Sequence, residues 1–147
     1  MENRTQIADA LNNLLANYQI YYQNLRGFHW NIQGRDFFEL HIKFEELYND
    51  AAVKIDEVAE RILTIDHTPI HSFAEYLKVA DLQPLTEVRD GQTGVTAVVD
   101  NLTRLVEQQK SIRASAEDGN DGATADMMAT FIEEQEKTLW MYKAWLK

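Results

Sequence analysis

The sequence predicts an all-α chain folded as a bundle of four long helices. Three observations carry this. Only two prolines and six glycines occur in 147 residues, so few positions can break a helix. Between those breaks, apolar residues recur at steps of three and four, the spacing of one helical face. No stretch alternates apolar and polar residues at the period of two that a half-buried strand requires. The breaks fall at Gly34, Pro69, Pro84, the pair Gly91 and Gly94, and the pair Gly119 and Gly122.

The first helix is expected over residues 5–31, where Ile7, Leu11, Leu14, Leu15, Tyr18, Tyr22 and Leu25 form one stripe. The second starts at Asp36. Asp36-Phe37-Phe38-Glu39 has the form of a capping box, with Asp at the N-cap and Glu three residues on. It carries Leu40, Phe44, Leu47, Ala51, Ile55, Val58 and Ile62, and stops near Asp66, ahead of Pro69. The third, over 93–116, turns Val95, Val98, Leu102, Leu105 and Ile112 inward. The fourth, over 124–146, does so with Met127, Met128, Phe131, Leu139, Tyr142 and Leu146. Helices of this length span ~35–43 Å, long for a globular domain and ordinary for a bundle.

Connection lengths fix the topology. The first and last links are short, which makes their helices antiparallel neighbours. The middle link, residues 66–92, is long enough to cross the whole bundle. It holds its own helix signal, with Ser72 as N-cap, Glu75 three residues later, then Tyr76, Leu77 and Val79. A four-helix bundle with one long crossover between helices two and three, here carrying a short extra helix, is the ferritin-like arrangement. The whole of 1–147 reads as a single domain.

Lys and Arg number 14 against 24 Asp and Glu, a net charge of −10. That argues against a surface built to meet DNA, RNA or anionic lipid, which is ordinarily basic. An acidic excess suits cations, and equally suits simple solubility. The absence of cysteine excludes disulfides, thiolate nucleophiles, iron–sulfur clusters and zinc–thiolate sites. The N-terminus lacks a basic start followed by an apolar run, and no apolar stretch approaches the ~18 residues of a membrane span. The expectation is a soluble, cytoplasmic protein without a membrane partner.

A ferritin-like bundle raises the question of a di-iron site built on Glu-x-x-His pairs. The residues three before His29, His41, His67 and His71 are Arg26, Phe38, Thr64 and Thr68, so that signature is missing, as is HExxH. A different set remains. His29 closes the first helix. His41 and Glu45 are i and i+4 near the start of the second, and Asp56 and Glu60 are i and i+4 farther along it. Each pair faces one way. Carboxylates with imidazoles suit iron or zinc better than calcium. His41 and Asp56 lie fifteen residues apart on one helix, or ~22 Å, far beyond the ~2–2.6 Å reach of ligands to a common metal. Either the pairs are unrelated, and Asp56 and Glu60 belong to a solvated face, or a second subunit crosses antiparallel and brings His41 to Asp56. Two-fold symmetry would then create two identical sites. Trp30, beside His29, reads as a packing aromatic.

The run Asn24-Leu25-Arg26-Gly27-Phe28-His29-Trp30-Asn31-Ile32, then Gly34, Phe37-Phe38, Leu40-His41, then Asp56-Glu57-Val58-Ala59-Glu60-Arg61-Ile62, resembles the Dps family, the miniferritin branch of the ferritin-like superfamily. Thr124-Ala125-Asp126-Met127-Met128, and the ending with Lys137, Trp140, Met141, Ala144 and Leu146, are similar to its last helix. The resemblance covers most of the chain, and the His-x11-His-x14-Asp-x3-Glu spacing is its specific part. It implies ferroxidase ligands at His29 and His41 from one subunit and Asp56 and Glu60 from its partner. Glu45 stands where the family often has Asp, as an outer or second-iron ligand. Trp30 matches a tryptophan implicated in handling oxidising equivalents. The short helix around residues 72–79 matches the family's extra helix in the crossover.

The resemblance further implies a hollow homododecamer that oxidises Fe²⁺, typically with hydrogen peroxide, and stores the ferric product, limiting oxidative damage. Zinc or another divalent metal fits the same ligands. Of the acidic residues near the third link, Asp121 and Asp126 are the expected pore residues on three-fold axes; a turn or helix-start role suits them equally. His67 and His71 flank Pro69 and read as surface or packing residues. Family members that bind DNA usually use a mobile Lys-rich tail. Here helix one begins almost at once after Arg4, and Lys147 directly follows helix four. DNA binding is therefore not expected. A shell without ferroxidase activity is the remaining alternative.

Overall fold

The computed structural model describes residues 2–147. It is all-helical over those residues, with α1 (Glu2–Asn31), α2 (Phe37–Thr64), α3 (Phe73–Val79), α4 (Gly91–Asp118) and α5 (Gly122–Leu146) in chain order. Four are long, and the short α3 lies in the crossover between α2 and α4. This is the ferritin-like bundle, with α1 packed on α2, α3 and α4, and α4 on α5.

The core forms where the stripes meet. Leu11, Leu14, Leu15, Tyr18, Leu25 and Phe28 of α1 are fully buried. So are Phe44, Val58 and Ile62 of α2, Val95, Val98, Leu102 and Leu105 of α4, and Met128 and Phe131 of α5. Phe28 and Phe44 meet edge to face across the α1–α2 seam, with centroids 5.7 Å apart. Tyr22, Leu47, Ile55, Met127 and Tyr142 are partly buried against this core. Leu146, expected inside, is 37% exposed in the last residue of α5.

At the centre, Tyr18, Gln109 and Gln135 form a closed ring of hydrogen bonds. The Tyr18 hydroxyl donates to Gln109 Oε1, Gln109 Nε2 to Gln135 Oε1 at 2.7 Å, and Gln135 Nε2 back to the Tyr18 oxygen at 2.8 Å. Burial raises the Tyr18 phenol well above its usual pKa, so it stays neutral. The ring ties α1, α4 and α5 together with every member satisfied.

Helix starts differ in detail from the sequence reading. Asp36 stands at the N-cap of α2, but its side chain makes no capping bond, so the expected capping box is not formed. The turn does the work instead. Gly34 takes φ 102°, which favours glycine, and its carbonyl accepts from Phe37 N–H at 3.2 Å. Glu39 reaches away and accepts from Trp145 Nε1 at 3.0 Å. Ser72 does cap α3, accepting from Glu75 N–H at 3.2 Å. Capping by Asp90 and Asp121 starts α4 and α5 two residues earlier than expected, at Gly91 and Gly122. Gly91 is a packing residue as well as a boundary, because a Cβ there would lie 2.8 Å from Leu40 Cδ1.

The crossover is fastened along α1 by three asparagines. Asn12 accepts from Ile70 N–H and donates to the Thr68 carbonyl. Asn17 Oδ1 accepts from the N–H groups of Asp81 and Leu82, at 2.7 and 3.0 Å. Asn24 accepts from Leu85 N–H at 2.9 Å and donates to the Gln83 carbonyl. These amides satisfy crossover groups that have no helical partner.

Candidate metal centre

α1 ends and α2 begins around a tight turn, so the last turn of one faces the first turns of the other. His29 and His41 meet there as parallel rings, centroids 3.8 Å apart and planes 10° apart. The pairing is reciprocal. His29 Nδ1 lies 2.5 Å from the His41 carbonyl oxygen, and His41 Nδ1 lies 2.8 Å from that of His29. A carbonyl only accepts, so each Nδ1 carries the N–H. Each Nε2 is the ring nitrogen outside this backbone pairing. This backbone restraint fixes tautomer and ring orientation together, as metal-binding histidines require.

Glu45 stands one turn beyond His41, half exposed, with Oε1 3.7 Å from His29 Nε2. Phe37 stacks on the far side of His41 at 4.9 Å, and Tyr48 meets His29 edge-on at 5.4 Å. Trp30 follows His29 on the outside, 56% exposed. The Arg26 guanidinium lies 4.9 Å above its ring.

Asp56 and Glu60 are exposed on α2, four turns from His41. The subunit brings His29, His41 and Glu45 together and leaves Asp56 and Glu60 apart. Among the described residues, no cluster of three or more His, Asp or Glu could hold a metal within one subunit. What Asp56 and Glu60 do share with the histidine end is a surface. Phe38 (79% exposed), Ile42 (56%), Val53 (57%) and Leu63 (56%) lie with Glu45, Asn49, Asp56 and Glu60 in one arc of α2. Large exposed apolar residues sharing a face with carboxylates mark a surface that another molecule covers.

Asp121 and Asp126 are placed differently. The Asp121 carboxylate caps α5, accepting from Thr124 N–H at 3.0 Å and the Thr124 hydroxyl at 2.6 Å. It also pairs with Arg61 Nη2 at 2.8 Å. Burial works to raise its pKa, but the Thr124 and Arg61 contacts outweigh that and hold it below the usual carboxylate range. Asp126 is exposed on α5. His67 and His71 each hold a nearby carbonyl through Nδ1, away from the His29–His41 pair.

Two features escaped the sequence reading. The reciprocal imidazole–carbonyl pairing involves backbone, which no side-chain spacing reports. The Tyr22–Tyr48 contact, centroids 5.9 Å apart, did have a signal. Each tyrosine stands seven residues, two helical turns, from a histidine.

A helical bundle with one long crossover and a two-histidine end on adjacent helices defines a ferritin-like protein, and the ferritin-like domain family matches residues 8–147. Within that class, the chain belongs to the Dps family. It is 43% identical over 139 residues to the DNA protection during starvation protein of Porphyromonas gingivalis, covering 95% of this chain and 87% of that one. It is similar in structure to the Dps protein of Vibrio cholerae O1, described as a member of the ferritin-like diiron-carboxylate superfamily. The TM-score there is 0.98 and the identity 51%, over 99% of this chain and 92% of that chain. The Dps protein of Bacillus brevis gives a TM-score of 0.97 at 38% identity, over 100% and 99% of the two chains.

Proposed function

We propose that this protein oxidises Fe²⁺ with hydrogen peroxide at a centre shared between two subunits, and stores the ferric product inside a homododecameric shell. One observation carries the reading. The His29–His41 pair stands near the start of α2, and Asp56 and Glu60 stand fifteen and nineteen residues beyond His41, on a face lined with exposed apolar side chains. Pairing α2 antiparallel with its copy covers Phe38, Ile42, Val53 and Leu63. The same operation sets His41 opposite Asp56 of the partner subunit, twice per dimer.

The donor set suits the chemistry. Neutral imidazoles capture Fe²⁺, and hard anionic carboxylates favour the higher charge of Fe³⁺. The Glu45 carboxylate, 3.7 Å from His29 Nε2, supports its reading as a further ligand. Zinc fits the same donors and would compete with iron. The acidic excess draws Fe²⁺ toward the shell. Asp126, with its exposed carboxylate, is the better pore residue, because Asp121 is already held by Thr124 and Arg61. Net charge −10 disfavours direct DNA binding. Among the described residues, no helix is long and apolar enough to cross a membrane.

The test is direct. Fe²⁺ is added anaerobically, then peroxide, and the ferric absorbance is followed in the near ultraviolet. Acceleration over buffer is expected. An unaccelerated rate from an intact shell would leave a structural protein only.

A further inference from the structure

Seven residues from His29 on α1 stands Tyr22, and seven from His41 on α2 stands Tyr48. Because the helices run antiparallel, the two tyrosines meet across the seam two turns deeper than the histidine pair. Tyr48 is edge-on to His29, centroids 5.4 Å apart and planes at 79°. Tyr22 is edge-on to Tyr48, at 5.9 Å and 86°. Both are partly buried against the core. His29, Tyr48 and Tyr22 thus form a continuous line of aromatic contacts leading inward from the centre.

Trp30 offers a second route, outward. It carries the Arg26 guanidinium 4.9 Å above its ring, and it is 56% exposed. Removing an electron from an indole first creates a cation, which a guanidinium on its face disfavours. A phenol loses its proton with the electron and ends neutral, so it escapes that penalty. Arg26 also lies 5.2 Å from the Tyr22 ring, a contact that costs a phenol little for the same reason, and Tyr48 is a phenol in direct edge contact with the histidine pair.

We infer that Tyr48, backed by Tyr22, supplies the second reducing equivalent when peroxide meets a centre holding one Fe²⁺ instead of two. This rests on the ferroxidase reading above. Peroxide needs two electrons to become water and hydroxide. Fe²⁺ gives one and becomes Fe³⁺, the O–O bond breaks, and the Tyr48 O–H bond gives a hydrogen atom to the remaining oxygen. The balance is Fe²⁺ + H₂O₂ + TyrOH → Fe³⁺ + OH⁻ + H₂O + TyrO•. The oxidising equivalent is thereby kept in the protein and not released as hydroxyl radical. Tyr22, in edge contact with Tyr48, then shares it.

The test uses the assembled wild-type protein with one Fe²⁺ per centre and excess peroxide, freeze-quenched for electron paramagnetic resonance. A tyrosyl signal that narrows on ring-deuteration of tyrosine is expected. It is lost in Tyr48→Phe, which keeps the ring packing, and persists in Trp30→Phe. Peptide mapping of oxidised wild-type protein requires no variant to fold, and should find the modifications on Tyr48 and Tyr22 before Trp30. Iron oxidised normally, but with the radical on Trp30 or unchanged by Tyr48→Phe, would overturn this inference alone. Failure of the centre to oxidise iron with peroxide would overturn the reading beneath it, and this inference with it.

Discussion

At His29 and His41, the backbone carbonyl of each residue holds the ring of the other, so both ring orientations are set by the fold itself. Preorganisation of this kind lowers the ordering cost of binding. Asp56, by contrast, is held by nothing but its helix. Asp56→Ala should therefore leave folding and assembly intact. It should slow iron oxidation by more than the roughly 10–100-fold typical of losing a group that only orients a ligand. Stopped-flow absorbance and light scattering on the same sample check both halves. Loss of the shell in that variant would make the residue structural.

Lys54 poses a different problem at the same scale. Its side chain is 3% exposed, and its ammonium pairs with Asp50 and Glu134, both at 2.8 Å, above the Phe131 ring at 5.1 Å. Burial works to lower its pKa, but the two carboxylates outweigh this and raise it. Its charge is therefore secure at neutral pH. Removing both acids strands a buried cation, whereas Lys54→Met removes the cation and leaves two half-exposed carboxylates in water. The double variant Asp50→Ala/Glu134→Ala should cost about 3 kcal/mol, and Lys54→Met distinctly less. Urea denaturation gives the order, and the reverse order would show that the pair itself stabilises the fold.

At the scale of elements, α2 is joined to the start of α5 by Arg61, which donates to the Thr124 hydroxyl at 2.9 Å and to the Asp121 carboxylate at 2.8 Å. Asp121 caps α5 through Thr124 and receives Arg61 from α2. Asp121→Ala should cost about 1–2 kcal/mol. Its folded pKa lies below that of the unfolded chain, so its contribution is fully present above about pH 4. The contribution fades as pH falls through the depressed folded value. The stability gap between wild type and Asp121→Ala should close in acid, which melting curves across that range would reveal. A gap that persists in acid would assign the cost to lost packing.

The elements also show how far sequence carried. The stripes of all four long helices were legible, because burial of one face imposes a spacing that any reader can count. Periodicity puts the starts of α4 and α5 two residues late, because Gly91 and Gly122 carry the signature of helix breakers. In fact Gly91 gives α4 room beside Leu40, and Asp90 and Asp121 cap the helices just ahead of the glycines. Asp36 followed by Glu39 matched the capping pattern without forming the bonds, because Trp145, over a hundred residues away, claims Glu39. Asn12, Asn17 and Asn24 gave no periodic signal. Their roles exist only once the crossover lies beside α1.

For the whole molecule, charge and assembly make the decisive statements. A dodecamer of 17.0 kDa subunits would weigh about 200 kDa, which light scattering distinguishes at once from a dimer, the smallest closed assembly that would complete the proposed centre. With −10 on each subunit, the assembled protein should give no DNA mobility shift at moderate ionic strength unless divalent cations bridge the two. Tight binding there would require a basic surface that the net charge conceals.

The bundle, its single long crossover, the lack of thiol chemistry and the identity of the candidate ligands were all legible in the chain, because they follow from periodicity, spacing and residue type. Spacing also showed that His41 and Asp56 cannot meet within one helix, since rise per residue is fixed. Folding in three dimensions settled which imidazole nitrogens are tied to backbone carbonyls, that Asp121 is spent on a cap and an ion pair, and that Tyr22 and Tyr48 stand in line behind His29. Those depend on contacts between atoms far apart in the chain, whose partners are chosen by packing.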